Sequence, residues 1–148
     1  MATDSSTALI TGGTSGIGRA AATKLAQLGI HVIVVGRNAE RGEKTVAEIR
    51  AAGGKADFIS SDLRDAPSAR EVARRAIEVG NGHVDILINN AGIYPFGPTQ
   101  EMTEEIFDRV YSLNSRCLTF SSTYRQWLPI TARPAWASMG QARQPSIC

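Results

Sequence analysis

The sequence contains no lysine and no acidic residue after position 108. Its last lysine is Lys55 and its last carboxylate is Asp108, in a chain of 148 residues. It has only two cysteines, Cys117 and Cys148, at a spacing that suits no metal site. No apolar run approaches the roughly 18 residues of a membrane span, and the first residues lack the pattern of a secretory signal. We therefore expect no metal, no membrane association and a reducing, cytoplasmic setting.

The net charge of the chain is also small. The formal net charge is +2, which is too small to favour nucleic acid or an anionic membrane as a partner. Apolar residues make up 43% of the chain and charged residues 20%, a balance typical of globular domains. The composition therefore predicts a globular protein that does not bind nucleic acid.

The composition changes abruptly near residue 116. All 14 acidic residues and 13 of the 14 glycines precede this point, whereas both tryptophans, both cysteines and three of the six prolines follow it. The later part has no sustained period of 2 or 3.6, and its prolines interrupt any long element. We therefore predict a divergent, irregular tail over 117–148. A native tail, a frameshift, an intron read-through and a mis-called gene are all compatible with this break.

Before the break, short apolar runs alternate with amphipathic stretches. Runs of this kind indicate buried parallel strands, and the stretches between them indicate crossover helices. The pattern predicts an α/β fold, a Rossmann-like doubly wound parallel sheet that is incomplete, with about four strands. The predicted strands are 7–11, 32–36, 56–60 and 84–89, and the predicted helices are 17–28, 39–52, 67–79 and one beginning after Thr103.

A glycine-rich loop, TGGTSGIG at 11–18, joins the first strand to the first helix. Glycine allows positive backbone angles in a tight turn and lets a pyrophosphate approach the backbone N–H groups. The helix start beyond the loop adds a partial positive charge. The spacing alone is a weak signal, but its position between a strand and a helix predicts a dinucleotide site.

The end of the second strand bears on the choice of cofactor. An NAD site usually has a carboxylate there, which accepts hydrogen bonds from the ribose hydroxyls. This chain has Gly36 and then Arg37, with no acidic residue before Glu40. The guanidinium of Arg37 suits a 2′-phosphate, so NADP is predicted over NAD, although Arg37 could also be a solvated loop cation. Arg19 is a weaker second candidate.

Several motifs together resemble the short-chain dehydrogenase/reductase family over about residues 5–116. They are TGGTSGIG, then Asp62–Leu63, NNAG at 89–92 and YSLN at 111–114. The resemblance implies that Asp62 contacts the adenine amino group, that Leu63 lies beside the ring and that NNAG braces the sheet and lines the adenosine ribose. It also makes Asn114 a member of the catalytic tetrad, whose helix carbonyl holds a relay water. With Arg37, the predicted cofactor-binding residues are Thr11, Gly12, Thr14, Ser15, Gly16, Ile17, Gly18, Arg37, Asp62, Leu63, Asn89, Asn90, Ala91 and Gly92.

The chain departs from the family in its catalytic residues. The family uses a serine and a Tyr-x-x-x-Lys pair, which share one helix face. None of Tyr94, Tyr111 and Tyr124 has a lysine four residues later, and Ser121 and Ser122 come too early for the family's serine. Of the tetrad, only Asn114 is present.

These observations leave three functions open. By resemblance, residues 1–116 form an NADP-binding Rossmann half-domain of an oxidoreductase that transfers hydride between NADP(H) and an alcohol or carbonyl substrate. The departures predict that this chain is catalytically incomplete, with a substrate only in a full-length relative. The alternatives are a non-catalytic NADP-binding module that regulates a partner, or an inactive truncated or frameshifted product. The oligomeric state stays open because the usual family dimer helices are incomplete.

Overall fold

The computed structural model describes residues 6–127, and side chains over residues 6–115. Strands and helices alternate, as the sequence predicts. The elements in chain order are β1 (Thr7–Thr11), α1 (Gly16–Gln27), β2 (His31–Gly36), α2 (Ala39–Ala51), β3 (Ala56–Ser60), α3 (Ala66–Val79), β4 (Ile86–Ile88), a 3-10 turn (Thr99–Glu101) and α4 (Glu104–Trp127).

The four strands form one parallel sheet in the order β3-β2-β1-β4. Leu9 in β1 lies beside Ile33 in β2 and Leu87 in β4. Side chains alternate between the two faces of a strand, so each face carries its own apolar cluster. Leu9 packs on the face that α3 covers, whereas Ile10 packs on the face that α1 and α2 cover. Helices therefore lie on both faces, which confirms the doubly wound arrangement.

The direction in which successive strands are added to the sheet reverses between β1 and β4. From β1 the chain builds outwards to β2 and β3, and it then returns to place β4 on the other side of β1. In open parallel sheets, ligands bind at such a switch point, outside the carboxyl ends of the strands. In the described part of the chain, β4 is an edge strand that pairs with β1 alone, as expected where no fifth strand is found in the sequence.

Helix α4 differs from the sequence prediction. It continues to Trp127, whereas irregular structure was expected from residue 117 onwards. The physical reason is local, because residues 117–127 contain neither proline nor glycine and Pro129 is the first helix breaker. The rest of the predicted tail, 128–148, lies outside the described residues. No helix in the described part is long and apolar enough to cross a membrane.

Candidate cofactor site

A cleft of about 310 Å³ opens at the carboxyl ends of the strands. It lies where the switch point predicts a ligand site. Most of the cofactor-binding residues predicted from the sequence line it, and five other residues join them. The lining residues are Gly12, Thr14, Ser15, Gly36, Arg37, Asn38, Arg41, Ser61, Asp62, Leu63, Asn90, Ala91, Gly92 and Leu113.

The start of α1 borders this cleft without a side-chain cap. The hydroxyl of Ser15, the N-cap residue, accepts no hydrogen bond from the first turn, which also contains no acidic residue. In contrast, α2, α3 and α4 are capped by the side chains of Asn38, Asp65 and Thr103. The first backbone N–H groups of α1 thus keep their donor capacity, as an anion site at a helix start requires.

Three of the four glycines in the loop, Gly12, Gly16 and Gly18, have different roles in the structure. Gly12 has a φ of +65°, and a Cβ there would lie 2.9 Å from the Cα of Ala91. Gly16 has a φ of +52° but open space around it. A Cβ on Gly18 would overlap the side-chain amide of Asn90 and the carbonyl oxygen of Gly12. Gly18 is therefore needed for close packing of α1 under the loop.

The NNAG segment and the end of β1 hold the loop in place. The Asn90 Nδ2 donates to the carbonyl oxygens of Gly12 at 3.1 Å and Thr11 at 3.2 Å. The buried Thr11 hydroxyl accepts from the backbone N–H groups of Asn90 at 3.0 Å and Ala91 at 3.1 Å. Thr11 therefore supports the site from below the cleft. Asn89 is exposed and does not line the cleft.

At the end of β2, the chain passes very close to the loop. A Cβ on Gly36 would lie 2.5 Å from Cγ2 of Thr14, so any other residue there would displace Thr14. Arg37 lines the cleft next to this contact, as the sequence suggests. Arg41, in the first turn of α2, lines it too and was not predicted from the sequence. Arg19 does not line it and pairs with Glu48.

Asp62 and Leu63 follow β3 and line the same cleft. One carboxylate oxygen of Asp62 lies 2.9 Å from Nε of Arg64, which is largely exposed. The ion pair engages Oδ2 of the carboxylate. Oδ1 is then available to accept a hydrogen bond from a ligand, as the resemblance implies for an adenine amino group.

Asn114 faces the loop after β4. Its Oδ1 accepts from the backbone N–H of Ile93 and its Nδ2 donates to the Ile93 carbonyl, both at 3.0 Å. The neighbouring Leu113 lines the cleft. The side chain of Asn114 therefore ties α4 to the segment that closes one wall, while the role of its backbone carbonyl stays a prediction.

The two tyrosines whose side chains are described do not line the cleft. Tyr94 is 82% exposed in the loop after β4. Tyr111 stacks on Phe107 along α4, with ring centroids 6.1 Å apart. The side chain of Tyr124 lies outside the described residues. The described part of the cleft therefore offers no tyrosine that could donate a proton.

The chain matches the family model described as short chain dehydrogenase over residues 6–128. The chain belongs to this family. The match extends beyond the residue near 116 at which the recognisable motifs end, in agreement with the continuation of α4 to Trp127.

Two curated relatives illustrate the similarity. The chain is 42% identical over 114 residues to the short chain dehydrogenase/reductase nsrJ of Aspergillus novofumigatus, covering 76% of this chain and 43% of that protein. It is also 42% identical over 106 residues to an uncharacterized oxidoreductase of Thermotoga maritima, covering 72% and 41%. The chain thus spans less than half the length of these relatives.

Solved structures of the family share the fold. A metagenomic short-chain oxidoreductase in complex with NADP superposes with a TM-score of 0.78 at 30% identity, covering 85% of this chain and 58% of that one. A short chain dehydrogenase from Burkholderia cenocepacia in complex with NADP superposes with a TM-score of 0.77 at 36% identity, covering 82% of this chain and 50% of that one.

Proposed function

We propose that this chain binds NADP(H) as the cofactor-binding part of a short-chain dehydrogenase/reductase. The whole protein would transfer hydride between NADP(H) and an alcohol or carbonyl substrate. The observation that carries the proposal is Arg37, which lines the cleft at the end of β2, where an NAD site usually has a carboxylate. The NADP complexes of two similar structures support the same cofactor.

The residues of the cleft fit such a cofactor. The uncapped start of α1 would hold the pyrophosphate through backbone N–H groups, at Gly16 and the residues that follow it. Asp62 would accept from the adenine amino group, and Ala91 and Gly92 would line the adenosine ribose. When bound, NADP(H) supplies or accepts the hydride. The described residues would bind and orient it.

A second function is a non-catalytic NADP-binding module. It is favoured by the positions of Tyr94 and Tyr111, which both lie outside the cleft. A preserved cofactor site without turnover would distinguish this module from an active reductase. The half-domain boundary at 116 and the cytoplasmic setting belong to the same proposal and stay predictions.

The test is a fluorescence titration of NADPH and NADH against wild type and Arg37→Ala. A charge-assisted hydrogen bond is worth about 1.5–3 kcal/mol, so the variant should lose roughly tenfold to a hundredfold in NADPH affinity and little in NADH affinity. Arg70→Ala is the matched control, since Arg70 is exposed on α3 and does not line the cleft. Equal affinity of wild type for both cofactors would contradict the NADP assignment.

A substitution of Arg37 tests the role of charge more directly than a substitution of Gly36. A carboxylate at position 36 repels a 2′-phosphate, so Gly36→Asp with Arg37→Ala is expected to reverse the preference. However, the new Cβ would first have to displace Thr14, which itself lines the cleft. Any loss of affinity in that variant would combine charge with steric disruption.

A further inference from the structure

The arginines of the described residues fall into two groups. Four have a carboxylate partner within ion-pair distance, namely Arg19, Arg50, Arg64 and Arg74, whereas Arg37, Arg41, Arg70, Arg75 and Arg109 have none within residues 6–115. Arg37 and Arg41 line the cleft, and neither forms an ion pair with a carboxylate in the described part of the chain. Of the five unpaired arginines, these two alone line the cleft, so it is bordered by two guanidiniums that have no ion-pair partner among the described residues.

Arg41 sits on a firmly packed turn. Its backbone N–H donates to Oδ1 of Asn38 at 2.8 Å, which caps α2, and its carbonyl accepts from the Thr45 hydroxyl at 2.9 Å. The next residue, Gly42, lies so close to the sheet that a Cβ would overlap the ring of Phe58. These contacts fix the first turn of α2 against β3, so the backbone that carries Arg41 is held in place.

The surroundings of the two guanidiniums favour a strongly charged anion. The other residues at this end of the cleft include Thr14, Asn38 and Ser61, which are neutral hydrogen-bonding residues. Asp62 is the one acidic residue among those that line the cleft, and Arg64 already pairs with it. A ribose hydroxyl would not neutralise the two positive charges, whereas a phosphate monoester carries close to two negative charges at neutral pH.

We infer that Arg41 is a second specificity-determining residue, which binds the 2′-phosphate of NADP together with Arg37. The inference rests on the proposed function, because it takes the same cleft and the same cofactor. It adds that selectivity for NADP arises from two guanidiniums held on the loop after β2 and on the first turn of α2. A guanidinium forms paired hydrogen bonds with phosphate oxygens, and two of them can share one dianion.

The experiment uses small probes that isolate the phosphate. Adenosine 2′,5′-bisphosphate and 5′-AMP differ by the 2′-phosphate alone, and calorimetry gives the affinity of the full chain for each. Arg41→Ala and Arg37→Ala are compared with Lys44→Ala, which removes an exposed charge from the same helix outside the cleft. Arg41→Ala should bind the bisphosphate about tenfold to a hundredfold more weakly with little change for 5′-AMP. Arg41→Lys should recover part of the loss.

Each outcome has a separate meaning. If wild type binds both probes equally or binds neither, the NADP assignment fails and the inference about Arg41 fails with it. If wild type prefers the bisphosphate and Arg37→Ala loses this preference while Arg41→Ala keeps it, the role of Arg41 alone is overturned. The same holds if Arg41→Ala weakens both probes equally, since Arg41 would then shape the cleft without selecting the phosphate. A selective loss in Arg41→Ala and none in Lys44→Ala supports the inference.

Discussion

Asn114 and Ile93 exchange two hydrogen bonds of 3.0 Å, one in each direction between the side-chain amide and the backbone. The pair joins α4 to the loop that follows β4. Gly92 lies directly beneath, where a Cβ would approach Oδ1 of Asn114 to 3.2 Å. Because Gly92 and Leu113 both line the cleft, the pair holds one wall of the candidate site in position.

Removing this amide should loosen the wall. Asn114→Ala loses two hydrogen bonds, each with a net worth of about 0.5–1.5 kcal/mol, so the free energy of unfolding should fall by about 1–3 kcal/mol. Urea denaturation measures this change, and NADPH affinity should fall with it. Asn89→Ala is the stability control, because Asn89 is exposed and has no side-chain hydrogen bond within the described residues. Equal stability of the two variants would show that the pair with Ile93 contributes nothing.

Gly16 and Gly18 should respond differently to a branched side chain. Gly16→Val meets open space, and its strain at positive φ is about 1–2 kcal/mol, so the protein should fold but lose nucleotide binding as the side chain blocks the pyrophosphate. Gly18→Val overlaps Asn90 and Gly12, and overpacking of this kind costs about 1–3 kcal/mol or more. Gly18→Val is therefore expected to destabilise the fold as well as to disturb the loop.

Thermal unfolding and NADPH titration of both valine variants make the comparison. Gly97→Val is the control, since Gly97 lies in the loop after β4 with open space around it. It should change neither measurement. A Gly18→Val protein as stable as the Gly16→Val protein would refute the packing role of Gly18.

Much of this fold could be predicted from the sequence because local signals agreed with it. The apolar runs of β1 to β3 are long and bounded, and the positive-φ glycines Gly29 and Gly53 follow α1 and α2, where helix ends favour glycine. The length of α4 could not be predicted in the same way. Residues 117–127 contain no proline or glycine and so permit a helix, but their weak periodicity does not itself predict one.

The candidate site was predictable where a motif marks it. Residue type and order alone identify the loop at 11–18, Asp62 and NNAG. Arg41 does not, because its role depends on how far α2 is rotated and how closely Gly42 lets it approach the sheet. Arg19 was a candidate because it directly follows the phosphate loop in the sequence, which does not show its ion pair with Glu48 on α2.

Asp65 should make the stability of α3 depend on pH. Hydrogen bonds from the Ser68 side chain and backbone hold the pKa of the Asp65 carboxyl below its ordinary value of 3.8. A lowered folded-state pKa means that the carboxylate stabilises the fold above the unfolded-state value, and that this contribution is lost as pH falls through the folded-state pKa. Asp65→Ala should therefore unfold at lower urea concentration than wild type at pH 7, and the difference should shrink below about pH 4.

Asp65→Asn separates the cap from its charge. Asparagine still accepts the hydrogen bond of the Ser68 backbone, so this variant should keep part of the stability and lose its pH dependence. Asp108→Asn, at an exposed carboxylate on α4, is the control for general charge effects. If the difference in stability between wild type and Asp65→Ala stayed constant from pH 7 to pH 3, the Asp65 cap would not titrate in this range.

The chain of 148 residues should show no reductase turnover on carbonyl substrates. Hydride transfer to a carbonyl leaves an alkoxide, and a positioned proton donor is worth about 10²–10⁴-fold in rate. No lysine follows Lys55, and Tyr94 and Tyr111 lie outside the cleft, so the described part of the cleft presents no such donor. Asn114 could hold a relay water, but no lysine stands behind it to pass the proton on.

The assay is NADPH consumption with a panel of small ketones and quinones, on protein that binds NADPH and unfolds cooperatively. Tyr124→Phe is the diagnostic variant, since Tyr124 is the one tyrosine beyond residue 116. Turnover above about 1 s⁻¹, the lower end of usual enzyme rates, that disappears in Tyr124→Phe would contradict the prediction. It would mean that a proton donor reaches the nicotinamide from α4 or from the residues beyond it. NADPH binding without turnover would instead favour the non-catalytic module, because the chain would then bind the cofactor without catalysing the hydride transfer that is typical of the family.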